Sequence, residues 1–344
     1  GRVVVVAPID DSPAMKAGIL AGDVITRIDG KPIKDMTVEK IASMIRGLPK
    51  SAVTLQIGRE GFTEPIEFRL ERAPVKIASV EYGIMEGGAI GYLKIKNFGS
   101  ETGRDAAKAM KLFKKKGVKK VIIDVRNNPG GLLSGAVEVS ELLLDREKTI
   151  VSTRGKKGSG SAEVYKSKSE PLYRGALAVL VNNGTASAAE ILAAAVRDNG
   201  RGSLIGEKTF GKGSVQKSFN LDDDIGVYIT VARYYTPSGE MIHKKGIEPD
   251  RKVTVEKFSE SDMKGLKAVR EGNLMEHFSK GGIAYTIESR ESFRAFLAGK
   301  GVTLSEKTGN FILKDWINRF KKKPLYDLEF DSQLNEAVKY IGGR

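Results

Sequence analysis

Apolar positions recur along this chain in two alternating rhythms, and the changes of rhythm mark its elements. Val3 to Val6 suggests a strand, and Ser12-Pro13-Ala14 then opens a short helix with serine as N-cap and proline at the first helical position. Val24 to Ile28 continues as a strand into the hairpin-type turn Asp29-Gly30. Val38 to Arg46 has the spacing of an amphipathic helix, and Val53 to Ile57 and Pro65 to Leu70 close residues 1–72 as strands. After a connector from Ala73 to Ser79, strand and helix patterns alternate. Ala89 to Ile95 is a strand, Thr102 to Lys116 a helix, Val121 to Val125 a buried strand and Leu132 to Leu144 a second helix. Leu177 to Val181, Ala188 to Arg197, Ser203 to Ile205 and Val227 to Tyr234 continue the series. Such alternation predicts βαβ units with chemistry at the strand ends. Arg154 to Glu170, rich in Gly, Ser and Lys, reads as a polar loop. Residues 251–344 show helical spacing over Met263 to Phe278, Glu291 to Leu297, Phe311 to Phe320 and Ser332 to Tyr340. The expected organisation is therefore three parts, 1–72, 73–250 and 251–344.

Composition narrows the function classes. Hydrophobic content is 40%, and no apolar run approaches the roughly 18 residues of a membrane span. With no cysteine, disulfides and thiolate metal sites are excluded. The formal charge of +14 comes from lysines scattered over Lys114 to Lys120, Lys156 to Lys168 and Lys321 to Lys323, without a nucleic-acid-binding motif or interleaved aromatics. These read as solvated faces, so no nucleic-acid partner is expected; an anionic envelope surface would attract such a chain by charge alone.

Candidate chemistry lies in VNNGTASAAE, residues 181–190, and GEKTFGKGSVQ, residues 206–216. Ser187 sits in a turn of small residues between an apolar strand and a helical run, where a hydroxyl is exposed and the following N–H groups point at an anion. Serine is a poor nucleophile without a neighbour to take its proton. Only His243 and His277 are present to serve as histidine bases, whereas Lys212 follows between Gly211 and Gly213. A lysine can take that proton only in its neutral form, which desolvation favours.

These two segments, together with DVRNNPGG at 124–131 and HKKGIEPD at 243–250, resemble the carboxyl-terminal processing proteases, tail-specific serine proteases, in the family's own motif order. The resemblance implies a crotonase-like serine endopeptidase core, with Ser187 as nucleophile, Lys212 as base, and Gln216, one helical turn after the lysine, supporting it. The backbone of Gly131, or its neighbour Gly130, and that of Ala188 would bind the oxyanion. No cofactor and no metal are implied. SPAMKAGILAGDVITRIDG likewise resembles a PDZ domain, a β-sandwich with two helices that adds a peptide to its sheet edge and holds the terminal carboxylate. Its carboxylate loop and first strand fall before Val3, so they are expected upstream of this sequence. Protein or peptide substrates with exposed C-termini, dimerisation through the C-terminal helices, and an exported or periplasmic location with the signal segment outside this sequence complete the expectation. Alternatives are a PDZ-bearing scaffold with a silent core, or a hydrolase of a small amide or ester.

Other polar residues take structural readings. Asp124, Arg126 and Asn127 form a turn-locking network. Glu190, three residues after Ser187, caps its helix, though it could also orient the dyad. His243 lacks partners for a metal site, and Asp222-Asp223-Asp224 is a turn. Arg46 matches a basic residue linking PDZ position to activity in relatives, and also suits a plain helix end.

Overall fold

The structure is a computed structural model that describes the chain except residues 1, 2, 6, 7, 10, 11, 21, 60, 61, 63, 76, 77, 86, 156–161, 221–225, 280, 281, 320–323 and 344. Asp222 to Asp224 therefore lie outside the described residues. The chain divides into two compact units, one of Gly1–Ile77 with Glu256–Pro324, the other of Ala78–Val255 with Leu325–Arg344.

In the first unit, β1 (Val3–Val4), β2 (Val24–Ile28), β3 (Lys31–Pro32), β4 (Ala52–Gly58) and β5 (Ile66–Glu71) form an antiparallel sheet, accompanied by helices α1 (Pro13–Lys16) and α2 (Val38–Ile45). The caps are those the sequence dictates: the Ser12 hydroxyl accepts from the Met15 N–H at 3.2 Å, and Thr37 accepts from Lys40 at 3.3 Å. Both Asp29 and Gly30 have positive φ, as a tight β2–β3 hairpin requires. Alternate residues of β4, Val53, Leu55 and Ile57, point into a core shared with Ile28 and Ile41. Arg46 is exposed, and its extended backbone ends α2.

The second unit is built on a sheet whose order is β15-β12-β11-β8-β7-β6. Its members are β6 (Val80–Ile84), β7 (Ile90–Ile95), β8 (Lys120–Asp124), β11 (Ala176–Val181), β12 (Ser203–Gly206) and β15 (Arg251–Lys252), with α3 (Thr102–Lys115), α4 (Leu133–Glu141) and α5 (Ala188–Asp198) between them. All neighbours from β7 to β15 are parallel; β6 alone runs antiparallel. Successive residues of each strand serve opposite faces. Val121, Ile123, Val179 and Val181 pack with Phe113, Val139, Ile191 and Leu192 on the face covered by α3, α4 and α5. Ile122, Ala178 and Leu180 pack on the other. Continuous apolar runs follow from that double burial. A second, antiparallel sheet has the order β10-β9-β14-β13, from β9 (Thr149–Gly155), β10 (Ala162–Lys166), β13 (Ser214–Asn220) and β14 (Gly226–Tyr235).

The stretch 154–170, expected as a polar loop, instead contains the end of β9 and all of β10. The side chains of β10 are exposed or half-buried, so no apolar alternation announces it. The helical pattern 263–278 divides into α6 (Glu260–Glu271) and α7 (Leu274–Phe278), because Asn273 adopts a left-handed φ of 47° between them. With α8 (Ile287–Gly299) and α9 (Glu306–Asn318) these helices enclose their own core of Val269, Met275, Phe293, Leu297 and Leu313. Among the described residues no helix is long and apolar enough to cross a membrane.

The expected single block 251–344 does not hold. Residues 251 and 252 form the edge strand β15 of the second unit's sheet, and α10 (Ser332–Gly342) also belongs to that unit. Leu334, Ala337 and Ile341 cover Tyr92, Ile122, Leu180 and Ile205, apolar groups that α3 to α5 cannot reach. A buried ionic network anchors this helix. The Arg126 guanidinium makes two bonds to Asp331, at 2.8 and 2.6 Å, and three to Asp124, whose Oδ2 also accepts from the Tyr92 hydroxyl at 2.6 Å. Burial alone would raise the Asp124 pKa, but the Arg126 guanidinium and the Tyr92 hydroxyl outweigh it and hold the carboxyl below its ordinary value. A depressed carboxyl stabilises the fold above its unfolded pKa of about 3.9 and loses that contribution as pH falls through its lower folded value. Asp124→Asn is therefore expected to cost about 3 kcal/mol at pH 7 in denaturant unfolding, and the gap to the unaltered chain should narrow below about pH 4.

Candidate active site

Three adjacent parallel strands end side by side: Asp124 of β8 is in register with Leu180 of β11, and Val181 of β11 with Gly206 of β12. The loops that follow are 125–132, 182–187 and 207–213, which carry the expected oxyanion turn, nucleophile and base. The topology thus gathers at one sheet edge motifs that lie up to 80 residues apart, at the place where open α/β sheets hold their chemistry.

Ser187 precedes α5 with φ 55° and ψ −118°, outside the regions an L-residue favours, at a cost of about 1–3 kcal/mol. Such a turn lifts the side chain clear of the helix it starts. It is half-buried, and Ala186, Ala188 and Ala189 around it are buried. The oxyanion turn packs directly on it: a Cβ on Gly130 would lie 2.7 Å from the Ser187 Cβ and 3.0 Å from the Ala188 nitrogen. Gly130 has φ 102° and Gly131 φ 140°, so neither place suits another residue. The hydrogen bonds of these two glycines differ. Gly130 donates its N–H to Asn128 Oδ1 at 2.8 Å and its carbonyl accepts from Phe98 at 2.9 Å. Among the described residues no hydrogen bond occupies the N–H of Gly131 or of Ala188.

Glu190 joins the Ser187 turn to the Lys212 loop. Its carboxylate is fully buried. Oε2 accepts from the Ser187 N–H at 2.9 Å and the Lys212 N–H at 2.8 Å, while Oε1 accepts from the Gly211 N–H at 2.8 Å and from the Thr209 hydroxyl. Thr209 Oγ1 in turn accepts from Ile247 at 2.7 Å. The capping reading of Glu190 is correct but covers one bond of four. The sequence signal for the remainder is the pairing of a Glu at the third helical position with a Gly-bracketed loop that has free N–H groups. The segment 243–250 supports the same loop from behind, with Lys244 N–H on Gly211 O at 2.8 Å.

Two expectations are not met side chain to side chain. Lys212 is exposed, and among the described residues no hydrogen bond joins its amine to the Ser187 hydroxyl. Gln216 does not lie one helical turn after Lys212. It sits exposed on strand β13, paired with Thr230 of β14 at a register shift after Val215. His243 is half-buried, and among the described residues its buried Nδ1 has no hydrogen-bond partner. Asp124 and Arg126 hold α10, as a structural reading requires, and among the described residues neither hydrogen-bonds to an expected site residue.

A strained serine at a helix start, vacant N–H groups beside it and a lysine loop tied to its backbone define the architecture of a serine peptidase. Comparison with known proteins agrees. Residues 89–253 match peptidase family S41 and residues 4–59 match a PDZ domain, and the chain belongs to this family of PDZ-bearing peptidases. It is similar to the carboxy-terminal processing protease CtpA of Bacillus subtilis, 40% identical over 259 residues that make up 75% of this chain and 55% of the relative. It is also similar to the carboxyl-terminal-processing protease of Synechocystis sp., 39% identical over 252 residues, 72% of this chain and 58% of the relative. Among solved structures, the photosystem II D1 C-terminal processing protease is 35% identical, with 78% of this chain and 72% of that one covered and a TM-score of 0.48. The chain spans little more than half the length of the curated relatives it matches.

Proposed function

We propose that this chain is a serine endopeptidase that uses Ser187 and Lys212 to cleave polypeptides selected by their C-terminal tails. The observation that carries this reading is the Glu190 carboxylate, which binds the backbone of Ser187 and of Lys212 through one oxygen atom. That contact brings a nucleophile and an amine base onto adjoining loops beside the vacant N–H groups of Gly131 and Ala188. Ser187 attacks the scissile carbonyl, neutral Lys212 takes its proton and returns one to the leaving amine, and the two N–H groups stabilise the oxyanion. Lys212 starts from solvent and turns onto Ser187 when a polypeptide fills the cleft and displaces water, since catalytic hydrogen bonds often tighten only in the substrate complex. Gln216, on the strand that leaves the base loop, supports the lysine in that closed arrangement.

Tail selection is assigned to the PDZ domain of residues 4–59. Self-association, expected of the C-terminal region, falls to α6–α9, since α10 is spent on its own core. Work in an exported location is part of the same proposal. The test is a peptide assay with matched free and amidated C-termini. In a form that carries the carboxylate loop expected upstream of Val3, amidation should slow cleavage by roughly 10- to 100-fold, the worth of a charge-assisted hydrogen-bond set, and residues 1–344 alone should discriminate less. Equal rates on both peptides by the form with that loop, with cleavage still dependent on Ser187, would refute tail selection and leave the peptidase chemistry standing.

A further inference from the structure

The loops that carry the oxyanion turn and the nucleophile are also joined to each other, by a pair of asparagine side chains. Asn127 follows β8 and Asn182 follows β11, so the two strand ends set them side by side. The Asn127 N–H donates to Asn182 Oδ1 at 2.9 Å, and Asn182 Nδ2 donates back to Asn127 Oδ1 at 3.0 Å. Asn182 Oδ1 takes a second bond from the Gly184 N–H at 3.0 Å. Two backbone N–H donors on one atom fix which end of that amide is oxygen. The Asn182 N–H goes to Thr185 Oγ1 at 3.0 Å, and the Thr185 hydroxyl donates to Val125 O at 2.8 Å. Asn127 is held at φ 57°. The approach is close enough that a Cβ on Gly184 would meet Asn127 Oδ1 at 2.7 Å and its Cα at 2.9 Å.

We propose that Asn127 and Asn182 form a reciprocal amide clamp that sets the distance between the oxyanion donors and Ser187, making both positioning residues for acylation. This rests on Ser187 being the nucleophile. The turns beyond the clamp touch at Gly130, Ser187 and Ala188, so any sliding of one loop along the other moves the Gly131 N–H relative to the serine hydroxyl. Asn127 is exposed and Asn182 half-buried. A clamp at the surface adds little to folding, because water replaces its bonds on unfolding, yet a displacement near 1 Å at a reacting centre costs about 100-fold in rate.

The partners are not equivalent, and this gives the test. Asn127 uses its side chain only as an acceptor in the clamp, so Asn127→Asp keeps the bond. Asn182 donates and accepts, so Asn182→Asp keeps its acceptor bonds but sets a carboxylate oxygen against Asn127 Oδ1. With the whole chain and a fluorogenic peptide, Asn182→Ala and Asn182→Asp are expected to lower kcat by about 10- to 100-fold with KM and unfolding temperature nearly unchanged, while Asn127→Asp stays within about threefold. Phosphonylation of Ser187 by a fluorophosphonate, which needs no peptide, should slow in the same order. Equal kcat and labelling in all three variants, a rise in KM alone, or losses that track unfolding temperature would overturn the clamp. If the unaltered chain is never labelled at Ser187, the nucleophile assignment fails and the clamp with it; labelling there with no effect of Asn182→Ala refutes the clamp alone.

Discussion

Glu190→Gln is expected to reduce kcat on a peptide substrate by about 100-fold or more, one of the largest losses for any residue that does not touch substrate. The carboxylate accepts four bonds, from the N–H groups of Ser187, Gly211 and Lys212 and from the Thr209 hydroxyl. A glutamine offers one oxygen and turns an NH2 group toward the remaining donors. Whichever way the amide faces, either the Ser187 and Lys212 N–H groups or the Gly211 N–H and Thr209 hydroxyl meet a donor in a buried site. Leaving such groups unsatisfied costs about 1–3 kcal/mol each, and the loops can relieve it only by separating. Unfolding by denaturant should show part of this as lost stability. Thr209→Val, which removes one bond to Glu190 and one to Ile247, should give a smaller effect on both measures. A fully active Glu190→Gln enzyme would mean that the backbone tie between the two loops is unimportant for the reaction.

Lys212→Ala and Ser187→Ala are each expected to abolish cleavage, by about 10⁴-fold or more, with the double variant no worse than either single one, because both serve the same proton transfer. Lys212→Arg should fail equally, since a guanidinium cannot give up its proton. The structure adds a control to this expectation. Glu190 holds residue 212 by its backbone N–H, and the lysine side chain is exposed. Removing that side chain should therefore leave the loop in place and the unfolding temperature unchanged, so that lost activity reports chemistry alone.

The residues with local signatures were legible from sequence. Ser187 in a turn of small residues, the Gly130-Gly131 pair after a buried strand, and Ser12-Pro13 at a helix start each announce their backbone through short-range chemistry. The apolar runs Val121 to Val125 and Leu177 to Val181 announced parallel strands for the same reason, since both faces are covered. What sequence reading missed depends on distant partners. Strand β10 is polar because it lies on solvent, and β6 is a short edge strand, so neither shows a strong period. The helical turn between Lys212 and Gln216 came from the family resemblance alone, and pairing with β14 puts Gln216 on a strand instead. Nothing near Ser332 says that α10 covers the far face of the sheet, which follows from Arg126 and Tyr92 more than 200 residues earlier. The four bonds of Glu190 and the Asn127–Asn182 pair are likewise products of neighbouring strand ends, visible only once β8, β11 and β12 are set in register.

Treatment of the whole chain with a fluorophosphonate, followed by mass-spectrometric location of the modified residue and assay of peptide cleavage on the same samples, tests the central claim most directly. The account predicts a single phosphonyl group on Ser187, activity lost in proportion to its occupancy, and neither labelling nor cleavage in Ser187→Ala. Cleavage by Ser187→Ala at the unaltered rate, or complete inactivation with the label on another residue, would contradict it.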